Sequence, residues 1–176
     1  MTRTVLVTGA TGFTGRALAN QLAEDGHRVR ALVHKTTASQ ADLDPRIDVV
    51  LGDICDQDAV DQAVAGSDTV FHLAAVYRSA RHPDRHYQAV NVGGTRNVIK
   101  ASRRYSVDRL VHCSTIGVHG DIEETPADED SPLQPSDIYQ ATKLEAEQLV
   151  REALKSGLSG VIVRPAESMG QATAGF

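Results

Sequence analysis

The chain has 176 residues, 41% hydrophobic and 23% charged, with a net charge of −5. That length predicts one domain with a substantial core, and the acidic balance supplies no electrostatic footprint for nucleic acid or an anionic membrane. No apolar run approaches the roughly 20 residues of a membrane span, and Met1-Thr2-Arg3 leads straight into a strand pattern with no signal-peptide pattern, so the expected location is cytoplasmic. Cys55 and Cys113 stand far apart with no metal-like neighbours, which suits a reducing compartment without a disulfide framework.

Thr4–Thr8 reads as the first strand and runs into Gly9-Ala10-Thr11-Gly12-Phe13-Thr14-Gly15. A helical pattern follows over Phe13–Glu24, with Ala17, Leu18, Leu22 and Ala23 on one stripe. Strand, glycine turn and helix N-terminus form the layout that receives a dinucleotide pyrophosphate. Gly9 is expected to take backbone angles closed to residues with a Cβ, Gly12 to let the main chain approach phosphate oxygens, and Gly15 to let the helix lie close on the sheet. The free N–H groups of the helix start favour the anion. The glycines are spaced three apart, so the G-x-G-x-x-G form is not matched letter for letter.

Gly26 stops that helix. Arg28–Val33 and Asp48–Leu51 read as the second and third strands, residues 56–65 as a short helix ended by Gly66, and residues 68–73 as the fourth strand. A long helix is expected over about residues 85–104, with Val90, Val98 and Ile99 inward. Arg109–Cys113 is the fifth strand, residues 120–135 an acidic, proline-bearing loop, residues 137–155 a helix and Gly160–Val163 the sixth strand. This alternation predicts an α/β, doubly wound parallel sheet with helices on both faces, in strand order 3-2-1-4-5-6. The ligand crevice then lies at the carboxyl ends of the strands, where the glycine turn, Ala74–Ala75 and the turn at Cys113, Ser114 and Thr115 converge.

Tyr139 and Lys143, four apart on a helix, share a face. An unperturbed tyrosine titrates near pH ~10, and a neighbouring ammonium is expected to lower that value. The phenol then exchanges a proton with a substrate hydroxyl or carbonyl, and Lys143 is within reach of a cofactor ribose hydroxyl. A hydroxyl in Cys113-Ser114-Thr115 is placed to hydrogen-bond the reacting oxygen; the residues alone leave both Ser114 and Thr115 open. His82 and His86 have a metal-compatible spacing, but no third ligand is evident and Pro83 intervenes, so no metal site is expected. Residues 121–130 read as a solvated acidic loop.

Thr8-Gly-Ala-Thr-Gly-Phe-Thr-Gly15, Gly52-Asp53-Ile54, His72-Leu-Ala-Ala75, Asn91-Val-Gly-Gly-Thr-Arg-Asn-Val98, Ser114-Thr115, Tyr139-x-x-x-Lys143 and Arg164-Pro165 recur in order over nearly the whole chain. With them the chain resembles the extended short-chain dehydrogenase/reductases, in the epimerase/dehydratase branch. The resemblance implies a Rossmann fold that binds NAD or NADP over residues 1–176. It places Gly9, Gly12, Phe13 and Gly15 along the pyrophosphate and nicotinamide side, with Thr11 of the same turn on the cofactor. Asp53 and Ile54 flank the adenine, and Ala74 and Ala75 pass beneath the ribose and phosphates. Asn91 supports the polar network from the long helix. Thr115 is selected over Ser114 as the active hydroxyl, Tyr139 is the acid/base and Lys143 its electrostatic partner.

The implied activity is hydride transfer at nicotinamide with a Tyr/Lys acid-base, on a small molecule, in the first place a nucleoside-diphosphate sugar. The alternatives are an NADPH-dependent ketone or aldehyde reductase and a non-catalytic dinucleotide-binding regulatory module. NAD-selective sites carry an acidic residue at the end of the second strand. Here that region reads Leu32-Val33-His34-Lys35-Thr36, and the basic pair His34-Lys35 favours NADP over NAD. The family continues past Arg164-Pro165 into elements that hold the substrate. Those are expected to be absent from residues 1–176, which leaves an apolar sheet surface that favours a homodimer.

Overall fold

The computed structural model describes residues 2–34, 43–78, 82–122 and 126–166. Its strands are β1 (Thr4–Thr8), β2 (Arg28–Val33), β3 (Asp48–Leu51), β4 (Thr69–His72), β5 (Arg109–Cys113) and β6 (Gly160–Val163). They form one sheet in the order β3-β2-β1-β4-β5-β6, and every pairing is parallel. The alternation of elements predicts this order. Its physical basis is visible in β1, where Val5, Leu6 and Val7 are all buried, as a strand covered on both faces requires. The order reverses at β1, which pairs with both β2 and β4, and the crevice opens at that point.

Five α-helices are described: α1 (Phe13–Glu24), α2 (Gln57–Val64), α3 (Asp84–Tyr87), α4 (Gly94–Arg104) and α5 (Ile138–Lys155). On one face Leu6, Leu32, Val70 and Leu110 pack with Val60 and Val64 of α2, Val98 of α4 and Val150 of α5. On the other, Val5, Val7, Val29 and Ala31 pack with Ala19 and Ala23 of α1. No described helix is long and apolar enough to cross a membrane.

Helix ends follow from local chemistry. Asp56 accepts from the Asp58 amide at the start of α2, and Asp137 accepts from the Gln140 amide at the start of α5. The far end of α2 is held by Arg30, whose Nη1 donates to the carbonyls of Ala63 and Ala65 at 2.8 Å each.

Two expectations are corrected. The buried stripe of α1 is Gly15, Ala19 and Ala23, and Ala17 is exposed. A ridge of the smallest side chains, four apart, brings this helix close to the sheet, and close approach decides the face more than hydropathy does. The long helix is not uniform: residues 84–104 run through α3, a π-helical segment Gln88–Gly93, then α4. Such segments cluster at functional sites. Here the Asn91 carbonyl accepts from the Thr95 hydroxyl at 2.6 Å, and the Asn91 side chain faces the crevice loop.

Candidate active site

The turn after β1 is built by its glycines. Gly9 has φ 75°, and a Cβ there would lie 2.7 Å from the Ala74 amide nitrogen, so the turn presses on the end of β4. At Gly15 a Cβ would overlap the Gly9 carbonyl oxygen; α1 meets the turn backbone to backbone. A Cβ on Gly12 would meet nothing nearer than the Gly9 oxygen at 3.3 Å and would project into the crevice. Gly12 is also the N-cap of α1, with no side-chain cap and no acidic residue in the first turn. A cradle kept clear of side chains, with uncapped N–H groups at its floor, fits a dinucleotide pyrophosphate.

Two cavities meet at this turn, of about 370 Å³ and about 790 Å³, and both are lined by Gly9, Gly12 and Leu73. The smaller is bordered by Thr11, His34, Asp53, Ile54, Ala74 and Ala75. The larger is bordered by Phe13, Gly15, Thr115 and Tyr139. Asn91 and Lys143 line neither; both are buried behind the crevice wall. His34 Nε2 lies 3.7 Å from Asp53 Oδ2. Lys35, the second residue of the basic pair, lies outside the described residues, as do 123–125 of the acidic loop and the chain from 167 onward. The His82 and His86 rings lie 4.5 Å apart, and the described residues contain no group of three metal-ligating side chains.

A buried relay ties the turn to the helices. The Ala74 amide donates to Thr8 Oγ1, which lies 2.8 Å from His72 Nδ1; His72 Nε2 lies 2.9 Å from Thr95 Oγ1. The Thr95 hydroxyl donates to the Asn91 carbonyl, so a neutral His72 with its proton on Nε2 satisfies every member. Burial, with the Lys143 charge adding to it, lowers the His72 imidazole to about 3. Asn91 Nδ2 donates to Thr142 Oγ1 at 3.0 Å, and Asn91 Oδ1 accepts from the Val76 amide at 2.8 Å. Thus one side chain of the π-helical segment fixes both the loop after β4 and α5.

At the carboxyl end of β5 the two hydroxyls diverge. Ser114 is buried, and its Oγ donates to Glu147 at 2.7 Å. Thr115 borders the larger cavity, and its Oγ1 accepts from the Gly117 amide at 3.1 Å, which caps the 3-10 turn Ile116–His119. That bond leaves the Thr115 O–H free to donate, and Thr115 and Tyr139 border the same cavity.

The electrostatic expectation for Tyr139 needs correction. Burial pushes the phenol above the ordinary tyrosine value, with Thr115 and Arg78 acting against the rise and Cys113 and Tyr77 adding to it. The Lys143 ammonium is engaged by a main-chain acceptor. Its Nζ donates to the Cys113 carbonyl at 2.6 Å, because a buried ammonium takes the acceptor at hand. Burial lowers Lys143 itself to about 8.

Sequence reasoning assigned no role to Glu147, Arg164, Tyr77 or Arg78. Glu147 is fully buried and takes two bonds from Arg164, at 2.7 and 3.0 Å, plus one from Arg151 at 2.8 Å. The Ile116 amide donates to the Pro165 carbonyl, so this ion cluster fixes the Thr115 turn against the end of β6. The signal for Tyr77 and Arg78 is their place just past the carboxyl end of β4, at the crevice.

The NAD dependent epimerase/dehydratase family matches residues 5–175. The 4-hydroxy-2-methyl-3-oxo-4-farnesyl-3,4-dihydroquinoline-1-oxide ketoreductase of Stigmatella aurantiaca is 39% identical over 162 residues, covering 90% of this chain and 48% of that protein. The N-acetyl-alpha-D-glucosaminyl-diphospho-ditrans,octacis-undecaprenol 4-epimerase of Escherichia coli O157:H7 is 35% identical over 178 residues, 99% of this chain and 52% of that protein. Among solved structures, DesIV of Streptomyces venezuelae, a dTDP-glucose 4,6-dehydratase with NAD and TYD bound, superposes with a TM-score of 0.84 at 31% identity, over 92% of this chain and 55% of that one. The chain spans about half the length of the curated relatives it matches. By the match over nearly its whole length and by these relatives, the chain belongs to the NAD-dependent epimerase/dehydratase family.

Proposed function

We propose that residues 1–176 are the NAD(P)-binding portion of an epimerase/dehydratase-type oxidoreductase acting on a nucleoside-diphosphate sugar. The observation that carries this reading is the meeting of the two cavities at Gly9 and Gly12, with Thr115 and Tyr139 on the wall beyond. A homodimer belongs to the same reading: Val161 and Val163 of edge strand β6 are 43% and 42% exposed.

In this reading Gly9, Thr11, Gly12 and the start of α1 hold the pyrophosphate. Asp53 and Ile54 flank the adenine, Ala74 and Ala75 lie beneath the ribose, Phe13 and Gly15 lie on the nicotinamide side, and Asn91 supports the site from behind. When bound, the cofactor accepts or returns a hydride at nicotinamide C4. Thr115 donates its hydroxyl hydrogen to the reacting oxygen and holds it toward Tyr139. Tyr139 exchanges a proton with that oxygen, taking it from a substrate hydroxyl when the ring is phenolate and giving it to a carbonyl when it is phenol, and Lys143 supplies positive charge from beneath. No carboxylate stands at the end of β2, which favours NADP. Asp53, 3.7 Å from His34, offsets part of that, so NADPH is expected to bind more tightly than NADH by no more than about tenfold.

A second reading, an NADPH-dependent carbonyl reductase, has its own support. The larger cavity is bordered by apolar side chains that are well exposed, Phe13 at 58%, Tyr77 at 63% and Ile116 at 39%. Net oxidation of NADPH in the presence of a ketone, against epimerisation of UDP-glucose without net cofactor change, separates the two. In either case Tyr139→Phe is expected to keep NADH and NADPH binding, read by nicotinamide fluorescence, and to lose turnover by about 10²–10⁴-fold. Full turnover in that variant contradicts the assignment.

A further inference from the structure

Arg78 follows β4 at the mouth of the larger cavity. Its Nε donates to Asp137 Oδ2 at 2.7 Å. The other oxygen, Asp137 Oδ1, accepts from the Gln140 amide at 2.7 Å as the N-cap of α5. Tyr139 lies between Asp137 and Gln140 along the chain. The guanidinium carbon lies 5.5 Å from the centroid of the Tyr139 ring and 5.9 Å from that of Tyr77. The two rings meet edge to face at 5.0 Å. One cation therefore touches the cap of the helix that carries Tyr139 and the Tyr139 ring itself. That geometry differs from a plain surface ion pair, which is worth little to the fold.

We propose that Arg78 is a positioning residue for Tyr139: anchored on Asp137, it holds the phenol ring between the loop after β4 and the Thr115 turn, and it sets a positive charge on the cleft side of that ring. The proposal rests on the reading of Tyr139 as the proton-exchanging group. Its logic comes from where the other cation points. Lys143 donates to the Cys113 carbonyl, beneath the crevice wall. The groups around Tyr139 are Tyr77 and Arg78 from the loop after β4 and Cys113 and Thr115 from β5 and its turn, and the chain of α5 adds Asp137 at its N-cap and Lys143 one turn on. His72 and His112 lie near Lys143, and burial keeps both neutral. Among these, Arg78 is the cation whose guanidinium lies against the Tyr139 ring, and it favours phenolate.

The test uses the 176-residue chain, which has four tyrosines and no tryptophan. Tyrosine is labelled at Cζ for carbon NMR, and the Tyr139 resonance is assigned as the one lost in Tyr139→Phe. Its pH midpoint is followed in wild type, Arg78→Gln and Arg78→Lys. Arg78→Gln is expected to raise the Tyr139 midpoint by roughly half a unit, about threefold in the phenolate ratio, and to leave Tyr105 unmoved. Arg78→Lys keeps the charge without the planar face and is expected to move it less. An unchanged Tyr139 midpoint in Arg78→Gln overturns the proposal, as does an equal shift of Tyr105. Should Arg78→Gln not fold, Asp137→Asn keeps a capping side chain and weakens the anchor. It is expected to shift the Tyr139 resonance, and no shift overturns the proposal. A moved midpoint together with full turnover in Tyr139→Phe would leave the clamp standing and sink the acid/base reading; the reverse pair of results sinks the clamp alone.

Discussion

Glu147→Ala is expected to remove about 3–5 kcal/mol of folding stability, the cost of leaving a buried charge without its partner. Glu147 is fully buried, and the side chain of Arg164 is 9% exposed. Arg164 grips the carboxylate with two nitrogens, and Ser114 and Arg151 supply two further bonds. Alanine leaves the guanidinium buried against His119 and the Glu129 carbonyl alone. The loss also reaches the site, because Ser114 precedes Thr115 and Pro165 follows Arg164 on the strand end that the Ile116 amide bonds to. The pH dependence has a definite sign. Burial alone would raise this carboxyl, but the bonds from Arg164, Ser114 and Arg151 bring it from the ordinary 4.5 down to about 2. Its contribution is therefore complete above pH 4.5 and is lost as the pH falls through about 2. Urea unfolding of wild type is expected to show roughly 3 kcal/mol of acid sensitivity from this group, absent in the variant. A variant within about 1 kcal/mol of wild type at neutral pH contradicts the account.

The second large effect is at the glycine turn. In Gly15→Ala the new methyl overlaps the Gly9 carbonyl oxygen, a main-chain atom that cannot rotate away. Either α1 lifts from the turn or the turn opens. Overpacking of this kind costs about 1–3 kcal/mol. Lifting α1 also moves its first-turn N–H groups from the pyrophosphate position, so NADH binding is expected to weaken by at least about tenfold, or 1.4 kcal/mol. Fluorescence titration with NADH and urea unfolding read the two effects separately. Wild-type affinity at wild-type stability in Gly15→Ala would mean that the close contact between α1 and the turn has no part in binding.

The strands were legible because a parallel strand buried on both faces is a continuous apolar run, as in Val5-Leu6-Val7, and because each run alternates with a helical pattern. The face of α1 was not, because hydropathy favours Leu18 and Leu22, whereas contact at backbone distance favours Gly15 and Ala19. The long helix was legible as an element, but its π-helical segment was not. That slip coincides with tertiary bonds of Asn91 to Val76 and Thr142, which no local periodicity encodes. At the site, the i, i+4 spacing placed Tyr139 and Lys143 on one face and could not show that Lys143 Nζ turns to the Cys113 carbonyl. The difference between Ser114 and Thr115 has a physical cause only in three dimensions: Glu147, more than thirty residues away, occupies the serine hydroxyl. Arg78 belongs to no periodic pattern, and only its position past the end of β4 marks it.

The central claim is that one crevice carries a dinucleotide across Gly9 and Gly12 and ends at Tyr139. NADH titrated into the Cζ-labelled chain tests it directly. A saturable shift of the Tyr139 resonance, with Tyr105 at the far end of α4 unmoved, is the predicted result. Saturation without any change at Tyr139, or no interaction with NADH at all, contradicts it.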